Sequence, residues 1–385
     1  MEIRELDAAN LDVAFDIRSR SFGLLPESAR AGWRARWERS VADRLALGCY
    51  DGGGHLVAVA RINRFRQWWQ GRSLPLAGIG GVVVSPEARG QGVGRRLMLG
   101  MLDHARDGGY PLTALYPATV PLYRGCGWEF AGAQHLVTVP TEALRGLGAG
   151  QVPLRRVDPD DAAEILSVVR GIHAAARTSG PIDWEESEVR LWLADDTPYA
   201  YLAADGFLAY HWDGDNLEVD ELVAGSEDTA RALWSLVGTG SSIAKRVKAC
   251  IGPTDPLRWL TREEVVKPYD EKRWMLRVLD LPAALAGRGY PAGVDTELTL
   301  TVEDPQLPAN TGTWRLSVTA GTGKASAVDP DPAALRLGAN GLAALYAGTP
   351  LPTLRATGLA TGGDPTTDPL YDTVFVANPY LLDYF

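Results

Sequence analysis

Six consecutive residues, Arg89-Gly90-Gln91-Gly92-Val93-Gly94, alternate glycine with larger side chains, and Arg95 and Arg96 follow directly. A glycine-rich turn opening a helix presents unpaired backbone N–H groups and the positive end of the helix dipole, a combination that suits an anion. Arginine adds donors whose geometry matches phosphate oxygens. The chemistry available to this stretch is therefore to hold a phosphate-bearing ligand. A dinucleotide-binding turn would need Gly-x-Gly-x-x-Gly and an acidic residue about 20 positions further on. Gly90, Gly92 and Gly94 do not have that spacing.

The loop needs a strand before it and a helix after it, and both are legible. Residues 77–84 form an apolar, glycine-containing run rich in β-branched side chains, which predicts a buried strand. Ser85-Pro86 ends it, because proline lacks a donor and biases the residue before it away from helix. Val93, Leu97, Met101, Leu102 and Ala105 then fall on one side of a predicted helix. Upstream, residues 2–6 read as a strand, 7–21 and 27–44 as helices, and 47–50 and 55–63 as strands joined by Asp51-Gly52-Gly53-Gly54, a hairpin signal. Downstream come a strand over 110–116, a helical turn over 120–124 stopped by Gly125, and strands over 128–132 and 134–139. A second unit starting near Pro153 repeats the opening order, with a meander over 199–223, a helix over 226–240 and a strand over 246–250. No Arg-Gly-x-Gly-x-Gly sequence stands in its matching place; acidic Ser226-Glu227-Asp228 does. Pro291 and Gly293 precede a third unit of strands at 296–303 and 312–320 and a helix at 341–346. The expected fold class is α+β with mixed sheets, divided at residues 1–150, 151–291 and 292–385.

Composition narrows the function. A chain of 385 residues with net charge −10 does not offer the basic surface that nucleic acid requires. No apolar run approaches the roughly 18 residues of a membrane helix, so neither partner is expected. The N-terminus lacks signal-peptide character, which predicts a cytoplasmic protein. Cys49, Cys126 and Cys250 have no metal-ligand spacing, and no metal is expected.

Preceded by Val-x-Val-x-Pro-Glu-x-Arg, the glycine loop resembles the Gln/Arg-x-x-Gly-x-Gly/Ala pyrophosphate loop of the GNAT acetyltransferases, and the resemblance implies acetyl-CoA as cosubstrate. Three features together resemble the Eis family: this loop, the Arg273-Trp274-Met275-Leu276-Arg277-Val278-Leu279-Asp280-Leu281-Pro282 segment before the third unit, and the aromatic ending Asp383-Tyr384-Phe385. That resemblance implies a GNAT domain, a second, degenerate GNAT-like domain and a sterol-carrier-protein-like domain, assembled as a homohexamer. It implies acetyl transfer straight from acetyl-CoA to a primary amine. Tyr123 would be the general acid that protonates the leaving thiolate, and the α-carboxylate of Phe385 the general base. Val82, Val83, Val84, Arg89, Gly90, Gln91, Gly92, Val93, Gly94 and Arg95 would hold pantetheine and pyrophosphate, with Ala118 and Thr119 near the thioester. An amine must lose its proton before it attacks a thioester, so a base in reach is required.

The chain departs from the family in places. Tyr384 stands where an acid precedes the terminal phenylalanine, with Asp383 one place earlier, and Gly81 stands where a bulky aromatic can occur. Trp33 and Trp37 are either core packing or part of an amine pocket. The acceptor is therefore expected to be a small amine, an aminoglycoside-like polycation or one with an apolar or aromatic body. A protein lysine is the alternative enzyme substrate, and a hydrophobic-ligand carrier built on the third domain is the non-enzymatic alternative.

Overall fold

The computed structural model describes residues 1–148, 152–195 and 198–385; the boundary expected between residues 150 and 151 falls outside them. Among the described residues one sheet contains β1 (Glu2–Glu5), β2 (Ala46–Tyr50), β3 (Leu56–Trp69), β4 (Arg72–Val84), β5 (Leu112–Leu115), β6 (Glu129–Pro140), β7 (Arg155–Arg156), β8 (Tyr199–Ala203), β9 (Gly206–Asp213), β10 (Asn216–Ala224), β11 (Arg246–Ile251) and β12 (Lys267–Val278). Their spatial order is β1-β2-β3-β4-β5-β12-β6-β11-β10-β9-β8-β7.

The centre of that order departs from the sequence expectation. Residues 128–132 and 134–139 do not make two strands; they lie in or beside the single strand β6. The partner that closes the first unit is β12, which runs antiparallel to both β5 and β6. β6 in turn lies antiparallel to β11 of the second unit. Each half thus completes its sheet with a strand from the other. A hydrophobic pattern specifies that a strand forms and which face it buries, but not which chain segment pairs with it.

Four helices of the first half matter to the site: α1 (Leu11–Phe22), α2 (Glu27–Ala42), α3 (Val93–Asp107) and α4 (Val120–Arg124). α3 buries Val93, Leu97, Met98, Met101, Leu102 and Ala105 against one face of the sheet. Truncating Met101 there would cost about 2–5 kcal/mol. α1 and α2 pack Leu11, Ile17, Trp33 and Trp37 elsewhere against β3 and β4. The β2–β3 hairpin closes through the Asp51 carboxylate, which accepts from Gly53 N at 2.8 Å and His55 N at 2.9 Å.

The third unit is a five-stranded sheet of β13 (Thr296–Glu303), β14 (Gly312–Thr319), β15 (Thr322–Val328), β16 (Leu335–Gly338) and β17 (Ala360–Gly362), ordered β15-β14-β13-β16-β17. Its helices, among them Ala339–Tyr346, lie against it. Leu298, Leu300, Leu316 and Leu342 join Trp69, Leu76, Leu112 and Trp274 in one apolar core, so the third unit shares its interior with the first.

Beyond residue 379 the chain crosses the large sheet. Tyr380 N donates to Ser179 O, and Leu381 N to Ala133 O on β6. Gln134 Nε2 holds Leu382 O at 2.8 Å, and Tyr116 Oη holds Asp383 O at 2.7 Å. With Cys250 Sγ of β11 donating to Leu381 O at 3.2 Å, these bonds lead the strap from β11 and β6 toward β4.

Candidate active site

β4 and β5 pair in parallel only from Leu76–Leu112 to Gly78–Ala114. β4 continues to Val84 with β3 on its other side, so its edge over residues 79–84 faces a gap. Within that edge Val59 pairs with Val83 and Arg61 with Gly80, leaving Gly81 and Val82 opposite Ala60 alone. This is a β-bulge, which re-aims the backbone groups of the strand. Gly81 has φ +63°, and a Cβ there would stand 2.7 Å from Trp37 Cζ2. Trp37 thus occupies the room that a side chain at position 81 would need.

Past Ser85 the chain makes one 3₁₀ turn, then Gly90 (φ +74°) and Gly92 (φ +76°) lead into α3. A Cβ at either glycine would meet nothing within 4 Å, so the left-handed backbone, not crowding, requires glycine there. Gly92 caps α3, and among the described residues no side chain bonds the first N–H groups of the helix. The loop is braced from outside. Arg20 binds both oxygens of Glu87 at 2.7 and 2.9 Å, which lowers the Glu87 pKa to about 2. Ser21 Oγ donates to Val84 O, and Arg89 Nε bonds the same carbonyl. The uncapped helix start and the unpaired edge of β4 are contiguous through Val82, Val83 and Val84. Together they fit a long ligand with amide groups at one end and phosphates at the other.

Ala118 and Thr119 are exposed on the connection between β5 and α4. Tyr123 is 4% exposed, edge-to-face with Trp128 at 6.3 Å. Burial raises its pKa to about 12, with Cys126 and Tyr384 adding to the effect, so the phenol keeps its proton at neutral pH. Cys126 is itself buried with a raised pKa, the environment of an unreactive thiol.

The Phe385 ring packs edge-on against Phe65 at 4.9 Å and Tyr116 at 5.5 Å. A Cβ at Gly80 would stand 3.5 Å from the Phe385 carboxyl carbon and 3.3 Å from Asn63 Nδ2. The carboxyl group therefore lies against β4 at Gly80, where β4 diverges from β5. Tyr116 was not singled out from sequence, although it both stacks on this tail and bonds its backbone; an aromatic closing a predicted strand gives no hint of a partner hundreds of residues away.

A cavity of about 770 Å³ adjoins the tail, between α2 and the second half of the molecule. Asp383 and Tyr384 line it, as do Ala35, Arg36 and Arg39 of α2. Trp33 is absent from the lining and belongs to the α1–α2 core, edge-to-face with Phe15 and tilted against Trp37. Apolar wall comes instead from Trp68, Trp184 and Trp192. Tyr384 is 66% exposed, lies 4.4 Å from the Tyr116 ring and carries Lys272 Nζ at 5.0 Å.

The cavity holds carboxylates in two conditions. Asp183 is paired with Arg170 at 2.7 Å, Glu188 with Arg39, and Asp220 with His211. Glu221 and Asp383 have no ion-pair partner among the described residues. Burial pushes Asp383 up to about 7, against a hydrogen bond from Trp184, and pushes Glu221 up to about 8, assisted by the charges of Asp383 and Asp220. Gln134 Oε1 and Trp68 Nε1, also on the lining, are buried without hydrogen-bond partners among the described residues. Such orphaned groups suit a polar ligand. Glu221 was not anticipated; the only signal is the run Glu218-Val219-Asp220-Glu221 inside a strand.

In the second half, the helix Glu227–Gly238 occupies the place α3 has in the first. Ser226 caps it with its own side chain, and Glu227 and Asp228 stand in its first turn. An anion would meet satisfied donors and like charge there. Among the described residues no group of three or more His, Cys, Asp or Glu side chains could hold a metal ion, and no helix is long and apolar enough to cross a membrane.

Comparison with known proteins finds three family matches along the chain. The Acetyltransferase (GNAT) domain family matches residues 2–131, a second Acetyltransferase (GNAT) domain family matches residues 180–278, and the Sterol carrier protein domain family matches residues 281–381. N-acetyltransferase Eis of Mycobacterium tuberculosis is 29% identical over 351 residues, covering 84% of this chain and 83% of its own. The GCN5-related N-acetyltransferase of Kribbella flavida is 47% identical, covers 100% of this chain and 98% of its own, and superposes with a TM-score of 0.96. Eis1 of Mycobacterium abscessus shares the fold at a TM-score of 0.76, with 21% identity and full coverage of both chains. With its uncapped glycine loop, its second GNAT domain and its sterol-carrier-type domain, this chain belongs to the GCN5-related N-acetyltransferases and is a homologue of the Eis enzymes.

Proposed function

We propose that the enzyme transfers acetyl from acetyl-CoA directly to a primary amine of a small molecule that carries further positive charge on an apolar or aromatic body. The observation that carries this reading is the course of residues 381–385, which brings the Phe385 carboxyl group to the β4–β5 gap beside the acidic cavity. The thioester supplies the acyl group. Backbone N–H groups of Gly90, Gln91, Gly92, Val93, Gly94 and Arg95, with the Arg89 guanidinium, would hold the pyrophosphate. The edge of β4 at Val82, Val83 and Val84 would pair with the pantetheine amides, as an added strand pairs with a sheet edge. Ala118 and Thr119 would flank the thioester.

Each end of the reaction needs a proton moved. The Phe385 carboxylate accepts the proton that the acceptor ammonium must lose before its nitrogen can bond to carbon. The Tyr123 hydroxyl, kept protonated by burial, gives its proton to the sulfur as the carbon–sulfur bond breaks. Glu221 and Asp383, kept partly or largely protonated by burial, ionise when the acceptor's remaining positive charge stands beside them, and Tyr384, Trp184 and Trp192 face its body. Gly81, closed off by Trp37, leaves the specificity to those residues. The cytoplasmic location expected from the N-terminal sequence, and the homohexamer, a trimer of dimers, implied by the family resemblance, are part of this proposal; sedimentation as a hexamer supports the assembly, and a monomer overturns it.

The test is free-thiol release from acetyl-CoA against aminoglycosides, polyamines, arylalkylamines and a lysine peptide. Turnover of multiply charged small amines is expected. Turnover confined to the peptide would replace this reading with a protein-lysine acetyltransferase. Acetyl-CoA that fails to bind would remove the enzymatic reading.

A further inference from the structure

We propose that Asn340, in the third domain, is a positioning residue for the proton donor Tyr123, so that this domain aligns the acid as well as supplying the tail. The inference rests on the assignment of Tyr123 made above. Tyr123 lies in a tight turn whose backbone folds on itself: its carbonyl accepts from Cys126 N at 3.0 Å and Trp128 N at 3.1 Å, and Gly127 N donates to Arg124 O. Asn340 Nδ2 reaches this turn from the first turn of the helix Ala339–Tyr346. It donates to Arg124 O at 3.1 Å and to Trp128 O at 2.8 Å. Arg124 follows Tyr123 directly, and Trp128 supplies the ring packed against it. One amide nitrogen therefore ties together the two ends of the turn that carries the acid.

The approach is close. Gly127 has φ +89°, and a Cβ there would stand 2.9 Å from Ala339 Cβ and 2.7 Å from Arg277 Nε. A second tie runs alongside: buried Arg277 bonds Cys126 O through Nε and Asp304 of the third domain at 2.6 Å through Nη2. The Arg124 side chain is held within the first domain by Glu129, so that clamp does not involve the third. Asn340 is the third-domain side chain bonded to the backbone of α4 among the described residues. A shift of about 1 Å at the donor is enough to cost on the order of 10²-fold in rate.

Rates with the most active amine of the panel, together with acetyl-CoA affinity, test this in Asn340→Ala, Asn340→Asp, Tyr123→Phe and the Asn340→Ala/Tyr123→Phe pair. Asn340→Asp keeps the shape but cannot donate, and it serves if the alanine variant does not fold. Each Asn340 variant is expected to lower kcat by about 10-fold or more with acetyl-CoA affinity held within about twofold, and Asn340→Ala to change the Tyr123→Phe enzyme by less than about twofold. Effects that multiply in the pair, or Asn340 variants as fast as native while Tyr123→Phe is slow, would overturn the positioning role and leave the acid in place. A Tyr123→Phe enzyme as fast as native, or no turnover with any amine, removes the reading beneath and this inference with it.

Discussion

Glu221 and Asp383 sit in a cavity where burial holds both carboxyls well above their ordinary range, to about 8 and about 7. For each, the folded pKa exceeds the unfolded one, so the native state keeps a proton that the unfolded chain releases. The contribution to stability is then lost as pH rises from the ordinary carboxylate range through the raised value. Glu221→Gln is expected to raise the melting temperature by several degrees at pH 8 and to leave it nearly unchanged at pH 4. The same substitution should raise KM for a doubly charged amine more than for a singly charged one, because glutamine cannot ionise beside the second ammonium as Glu221 can. Equal melting of the two proteins at pH 8 would show that Glu221 is not under this strain. At Tyr123 the phenol is poised to give a proton, and Tyr123→Phe should lower kcat by about 10²–10⁴-fold, the range for a positioned acid, with acetyl-CoA binding intact.

At the scale of elements, the β4–loop–α3 unit was legible because its determinants are local. The apolar run, Ser85-Pro86 and the alternating glycines each state a backbone requirement within a few residues. Gly90→Ala should cost about 1–2 kcal/mol of left-handed strain in the bound loop, read as a ~5–30-fold weaker acetyl-CoA affinity. Isothermal titration checks this, and unchanged affinity would show that the loop does not need its positive φ. The exchange of β6 and β12 was not legible, because strand pairing is a choice between partners that local pattern leaves open. Nor was the role of Glu221: in an isolated alternating strand it reads as a solvated charge, and only the tail and α2 turn that surface into an interior wall. Trp33 shows the converse. Its spacing from Trp37 permitted a pocket, but both indoles are buried in one core with α1, β2, β3 and β4, and Arg36 and Arg39 line the cavity.

For the whole molecule, the strand exchange and the shared core mean that no domain is closed without the others. A fragment of residues 1–148 would lack β12 and present β5 and β6 as bare edges, so it should aggregate where the full chain is soluble. The buried Arg277–Asp304 pair, with both side chains fully inaccessible, joins the sheet to the third domain. Asp304→Ala would strand a buried guanidinium and cost about 3–5 kcal/mol, visible as a lower denaturant midpoint. The same continuity delivers the Phe385 carboxyl group to a strand from which it is separated by most of the sequence. That delivery is the central claim, and it is tested by thiol release from acetyl-CoA with the preferred amine for the native chain and for one lengthened by a glycine after Phe385. The extension keeps the side chains and moves the carboxylate. A fall in kcat of about 10²-fold or more, with acetyl-CoA affinity retained, is the predicted result for a displaced base. An extended enzyme as fast as the native one would contradict the account and take Phe385 out of the reaction.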